Sequence, residues 1–149
     1  MNAIRKTVCV LLVALSVVLF FAGCKKAAKP FAVEIAKVKK TGNVLLNTTF
    51  DEMKAHDVEV GDIITVTVKD QTFELPVGTS YTDVDVGCMV LRFDTEDSEI
   101  ALAINMGSFA SETGIGEKQT IDGDPGYKWD LFVTEVEIAL KEKQGYRTE

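Results

Sequence analysis

The residues best suited to chemistry in this chain lie between Thr79 and Ser108. Tyr81 follows Thr79 and Ser80, so an aromatic ring stands beside two hydroxyls. At a strand mouth that trio can stack on a flat ring while the hydroxyls orient it; a tyrosine packed over a barrel end is the other reading. Asn105 ends an apolar run, Ile100–Ile104, and opens into Met106-Gly107-Ser108. Backbone groups approach a ligand closely where a strand gives way to glycine and serine. Asn105 itself either bonds a ligand edge or caps the strand. Asp83, Asp85, Asp94, Glu96 and Asp97 are dense enough to raise calcium, which needs several oxygen ligands. They lack EF-hand spacing, and a solvated acidic face suits them better. His56 is the single histidine and sits in a polar, exposed stretch. Cys88 reads as a small buried hydrophobe. No Ser-His-Asp set, phosphate loop or zinc-type ligand set can be assembled, so neither catalytic nor metal residues are expected.

The elements that position these residues must come from one domain with appendages, as expected for 149 residues. Arg5 and Lys6 are the only charges in the first 23 residues. The remainder carries 14 basic and 23 acidic residues, a net charge of −9. Nucleic acid is therefore not an expected partner, because its phosphates would be repelled.

The N-terminus has the layout of an export signal. Arg5-Lys6 is a basic start, Thr7–Phe21 a nearly unbroken apolar run, and Phe21-Ala22-Gly23-Cys24 a small-residue cleavage site. A run of 15 residues is short for a spanning helix. Cysteine directly after Ala-Gly resembles the lipobox of bacterial lipoproteins, with Phe21 where leucine is usual. The resemblance implies diacylglycerol on Cys24, a palmitate-type lipid anchor, and a place on the extracytoplasmic face of the cell membrane. Cys9 leaves with the signal and Cys24 is acylated, so only Cys88 remains and no internal disulfide is expected. The expected layout is signal 1–23, tether 24–32, barrel 33–122, and C-terminal strand and tail 123–149.

Past the tether the pattern is of short strands and tight turns. Strands are expected at Phe31–Val38, Val44–Leu46, Ile63–Val68, Thr72–Val77, Met89–Phe93 and Ile100–Ile104. Ile63–Val68 and Thr72–Val77 should form a hairpin across Asp70-Gln71, with Pro76 marking an edge or bulge. Phe50–His56 suits a helical turn with Thr49 or Asp51 as cap, and a second helical turn is expected at Phe109–Glu112. Trp129–Leu140 alternates strongly and reads as one long last strand. Together these predict a mainly all-β fold, a small β-barrel with short helical turns, preceded by a signal peptide.

Several stretches recur in an order that resembles a known family. They are Gly42-Asn43-Val44-Leu45-Leu46-Asn47, then Gly61-Asp62, then Tyr81-Thr82-Asp83-Val84, then Glu99 through Ala110. This order is similar to that of the C-terminal barrel of the S-adenosylmethionine hydroxide adenosyltransferases, which include the fluorinase and chlorinase. The resemblance implies a trimer in which the barrel holds the adenine and a separate N-terminal domain supplies the water-activating residues. It places Asn43, Ser98, Asn105, Gly107 and Ser108 on the ligand side, beside Tyr81. S-adenosylmethionine or adenosine are then the ligands to test, with no resident cofactor expected. Met106 and Phe109 depart from the family's pattern. The stretch Pro125–Tyr146 also looks like part of larger exported lipoproteins that place this barrel before a tyrosine-phosphatase-like domain. The expected role is thus a non-catalytic, membrane-anchored barrel that binds a nucleoside-like molecule or a protein partner. The alternative is an accessory module of a separately encoded or lost catalytic domain.

Overall fold

The computed structural model describes residues 28–144. The signal segment and Cys24 lie outside the described residues. The chain enters at β1 (Phe31–Val38), inside the expected tether, turns at Gly42 and returns as β2 (Val44–Leu46). A short helix α1 (Phe50–Ala55) follows, then the hairpin β3 (Ile63–Val68) and β4 (Gln71–Gly78). A 3₁₀ turn, Tyr81–Asp83, lies on the crossover to β5 (Met89–Asp94) and β6 (Glu99–Ile104). After α2 (Phe109–Glu112) come β7 (Gly116–Thr120), β8 (Tyr127–Leu131) and β9 (Glu135–Glu142).

Among the described residues, seven strands close a barrel in the order β1-β2-β6-β5-β4-β3-β9, and β7 and β8 form a separate two-stranded ribbon. All neighbouring pairs are antiparallel except β4 and β5, which run parallel at Val77–Leu91 and Gly78–Arg92. That one parallel step forces a crossover over the barrel wall, since a tight hairpin cannot join parallel strands. β9 pairs with both β1 and β3. The strand that closes the barrel therefore lies beyond residue 122.

The core follows the pleat. Ile64, Val66 and Val68 point inward from β3 and meet Leu75, Val77, Leu91, Leu102, Val136 and Ile138. β6 is buried along almost its whole length because both of its faces are covered. α1 is started by a reciprocal capping box. Glu52 N donates to Thr49 Oγ1 at 3.2 Å, and Thr49 N donates to Glu52 Oε2 at 2.8 Å.

Two of these expectations need correction. Trp129–Leu140 is not one strand: Phe132–Thr134 breaks it, and the two halves belong to different sheets. Phe132 N donates to Ile115 O at 2.8 Å as the last rung of the ribbon, and the chain leaves it over the next two residues to join the barrel at Glu135. Cys88 is exposed, because it stands in the turn before β5 and not inside the strand. Pro76 stands at a local edge of β4, as expected, paired with β3 alone. It is the last β4 residue paired with β3, and the next two residues pair with β5. Proline's missing donor is tolerated at this hand-over.

Candidate functional site

Tyr81, Asn43, Asn105, Gly107 and Ser108 line one groove of about 580 Å³, together with Thr41, Ile104 and Met106. The floor is set by the β1–β2 turn and the end of β6. Lys39 N bonds Asn43 O at 2.8 Å and Gly42 N bonds Lys39 O at 2.8 Å, with Gly42 at φ +89°. The left-handed angle needs glycine. A side chain there would also collide with Ser108, whose Cβ would lie 2.7 Å and Cα 2.9 Å from an added Cβ. The turn and the start of α2 are thus packed backbone to backbone.

Tyr81 is held from two sides. Its hydroxyl accepts from Asn43 Nδ2 at 3.1 Å, and the Arg92 guanidinium lies 4.4 Å from its ring centroid. Arg92 is in turn ion-paired with Asp94 on the same strand. One face of the ring is therefore occupied by a cation, an arrangement that fixes the ring plane. The Tyr81 O–H can donate a hydrogen bond of its own while accepting from Asn43.

Thr79 and Ser80 do not line the groove. The Ser80 hydroxyl accepts from Thr82 N at 3.2 Å, while Thr79 N and Ser80 N donate to Asp83 Oδ2 at 2.7 and 3.0 Å. Those hydroxyl and amide groups build the 3₁₀ turn that carries Tyr81. The Ser80 and Thr79 backbone N–H groups hold the Asp83 carboxyl below the usual range.

Asn105 ends β6 and ties down the chain that precedes β5. Its Nδ2 donates to Val84 O at 2.9 Å and its backbone pairs with Gly87 and Cys88, which ties the crossover to the end of β6. Its side chain still borders the groove. Ser108 caps α2, with Oγ accepting from Ser111 N at 3.3 Å. Met106 adopts φ +62° and is 87% exposed at the rim. Ser98 stands apart. It occupies the β5–β6 turn, at the opposite end of β6 from Asn105, about 23 Å away at the usual rise per residue. The sequence reading missed Thr41 and Arg92. A lone arginine inside an otherwise apolar strand was the available signal for Arg92.

The acidic residues separate in space. Asp83 and Asp85 face a second groove of about 530 Å³, beside Glu74, Thr82 and Cys88. Asp94, Asp97 and Glu99 bring carboxylate oxygens within 4.8 Å of one another. The protein's own groups already use two of them: Arg92 pairs with Asp94, Lys39 with Glu99, and Asp94 Oδ1 accepts from Glu96 N at 3.0 Å and Asp97 N at 3.3 Å. His56 is exposed and stacks on Phe31 with centroids 3.7 Å apart.

Residues 33–122 match the family described as the SAM hydroxide adenosyltransferase C-terminal domain. The chain belongs to that family. A solved structure of an uncharacterized conserved protein from Thermotoga maritima has a similar fold, at a TM-score of 0.57. It is 24% identical, over 78% of this chain and 39% of its own. A conserved hypothetical protein from Thermus thermophilus is 18% identical over 83% of this chain and 41% of its own, with a TM-score of 0.47. The chain thus spans about two fifths of the length of either. A search of curated proteins finds no match. The sequence resemblance and the barrel expected from it agree with the family match and the seven-stranded barrel.

Proposed function

We propose that this chain is a membrane-anchored, non-catalytic barrel that holds a small nucleoside-like molecule in the groove between Tyr81 and Asn105. The single observation that carries the reading is the composition of that groove. It offers an oriented aromatic ring, two amide side chains and closely approachable backbone, but no carboxylate, imidazole or amine among its lining residues. Such a lining can stack a flat ring and bond its edge. It has no group suited to moving a proton near neutral pH. Anchoring through lipid on Cys24, on the extracytoplasmic face, rests on the sequence alone, and a homotrimer rests on the family resemblance.

The test is thermal unfolding of the full chain in detergent with adenosine and with S-adenosylmethionine. A ligand at 100 times its Kd adds about 2.7 kcal/mol of stability. The midpoint is expected to rise with at least one of them and to stay unchanged in Tyr81→Ala. No rise with either compound overturns the ligand reading. Fatty-acid labelling of the wild-type chain, lost in Cys24→Ala, is the expected companion result for the anchor.

A second reading is favoured by the absence of a carboxylate, imidazole or amine from the groove's lining: the barrel is an accessory module that works with a separately encoded adenosyltransferase-like or phosphatase-like catalytic domain. On that reading the groove completes its site only against the partner.

A further inference from the structure

The β1–β2 turn sets the floor of the groove, and two separate elements hold it. The first is α2, which accepts it closely: Ala110 N donates to Gly42 O at 3.0 Å. The second is the β7–β8 ribbon. Trp129 Nε1 donates to Lys39 O at 3.1 Å, and Lys118 Nζ donates to Lys40 O at 2.9 Å. The Lys39 carbonyl is also the one that closes the turn, through Gly42 N. The chain has one tryptophan, and its indole N–H is committed to this carbonyl. Trp129 is half-buried, with its ring packed on the barrel core. β8 lies outside the segment matched by the family, which ends at 122.

Turns of this kind are ordinarily the mobile parts of a barrel, and a ligand that orders them loses affinity in doing so. Two donors from a separate ribbon order this turn in advance. Neither Trp129 nor Lys118 lines the groove.

We infer that Trp129 and Lys118 are positioning residues of the groove: they clamp the Lys39–Gly42 turn, so the ribbon sets the shape of a site whose ligand it does not touch. The part concerning affinity rests on the nucleoside reading above; the part concerning the turn does not. Trp129→Phe keeps the ring and removes the N–H. Lys118→Met keeps the stem and removes the ammonium.

The experiment is amide hydrogen exchange on the full chain in detergent, with adenosine titrated as the probe. In each variant the Gly42 amide should exchange about 3- to 10-fold faster, the size of one hydrogen bond. Amides of β3 and β5 should keep wild-type rates, and the Kd for adenosine should rise by a similar factor. Unchanged Gly42 exchange in both variants overturns the clamp. Equal acceleration throughout the barrel also overturns it, since Trp129 is then only a stability residue. A loosened turn with unchanged adenosine affinity overturns the positioning role. If the wild type binds no adenosine but Gly42 exchange still rises, the nucleoside reading fails and the clamp stands.

Discussion

Gly42 and Gly123 share a φ of +89° for different reasons. Nothing lies within 4 Å of a side chain added at Gly123, whereas at Gly42 it meets the Cβ and backbone of Ser108. Gly123→Ala therefore carries only the left-handed backbone penalty, about 1 kcal/mol. Gly42→Ala adds a collision with backbone that cannot rotate away, for a loss of about 3 kcal/mol in all. Urea unfolding of both variants checks this, and equal losses would show that α2 yields freely. The same close approach explains why the groove's floor is well defined although it is built from a turn. Tyr81 is defined differently, by Asn43 on its hydroxyl and Arg92 on its ring.

At the scale of elements, short segments are started and held by carboxylates. Glu52 lies below its ordinary value chiefly because Thr49 N–H bonds it, Asp83 because Ser80 N–H and Thr79 N–H do, and Glu59 because Lys143 does. A depressed carboxylate contributes stability that is complete above its unfolded value and lost as pH falls through its folded value. With ordinary values of 4.5 for glutamate and 3.8 for aspartate, the unfolding midpoint should be level above about pH 5 and fall steadily below it. Glu52→Gln and Asp83→Asn should each make that acid limb shallower. An acid limb identical to wild type excludes the group concerned. Lys143 acts in the other direction. Burial opposes its charge, but hydrogen bonds to Glu59 and Asp62 raise it above 10.5. Its contribution is complete below that value and lost as pH rises through the folded one.

At the scale of the whole molecule, closure decides stability. Among the described residues, β9 is the partner of β1 and β3 on their open sides, and its end is locked by buried Asp62. That carboxylate accepts from Lys143 Nζ and Gln144 N, both at 3.2 Å, and from Glu59 N at 2.9 Å. The family-matched segment 33–122 by itself would leave two long unpaired strand edges. It is expected to lack a cooperative unfolding transition, whereas 28–144 should unfold in one step by near-ultraviolet circular dichroism. Cooperative unfolding of 33–122 would mean that the barrel closes without β9.

The chemistry of neighbouring residues was enough to determine much of this protein. The β-branched run Ile63–Val68, the Thr49–Glu52 cap, the helical turn at Phe109 and the family resemblance all rest on spacings of a few residues or on ordered short stretches. β7 was not legible, because Glu117–Thr120 is polar on both faces and exposed. Trp129–Leu140 looked continuous because alternation in a strand does not record which sheet it joins. Tertiary structure alone decided that Ser98 and Asn105 stand at opposite ends of β6, and that Arg92 meets Tyr81. It also decided that the Lys39 carbonyl would be met by a tryptophan 90 residues away. Each of these depends on barrel closure and on the single parallel step between β4 and β5. No local propensity specifies either, because both arise from pairing between strands distant in the chain.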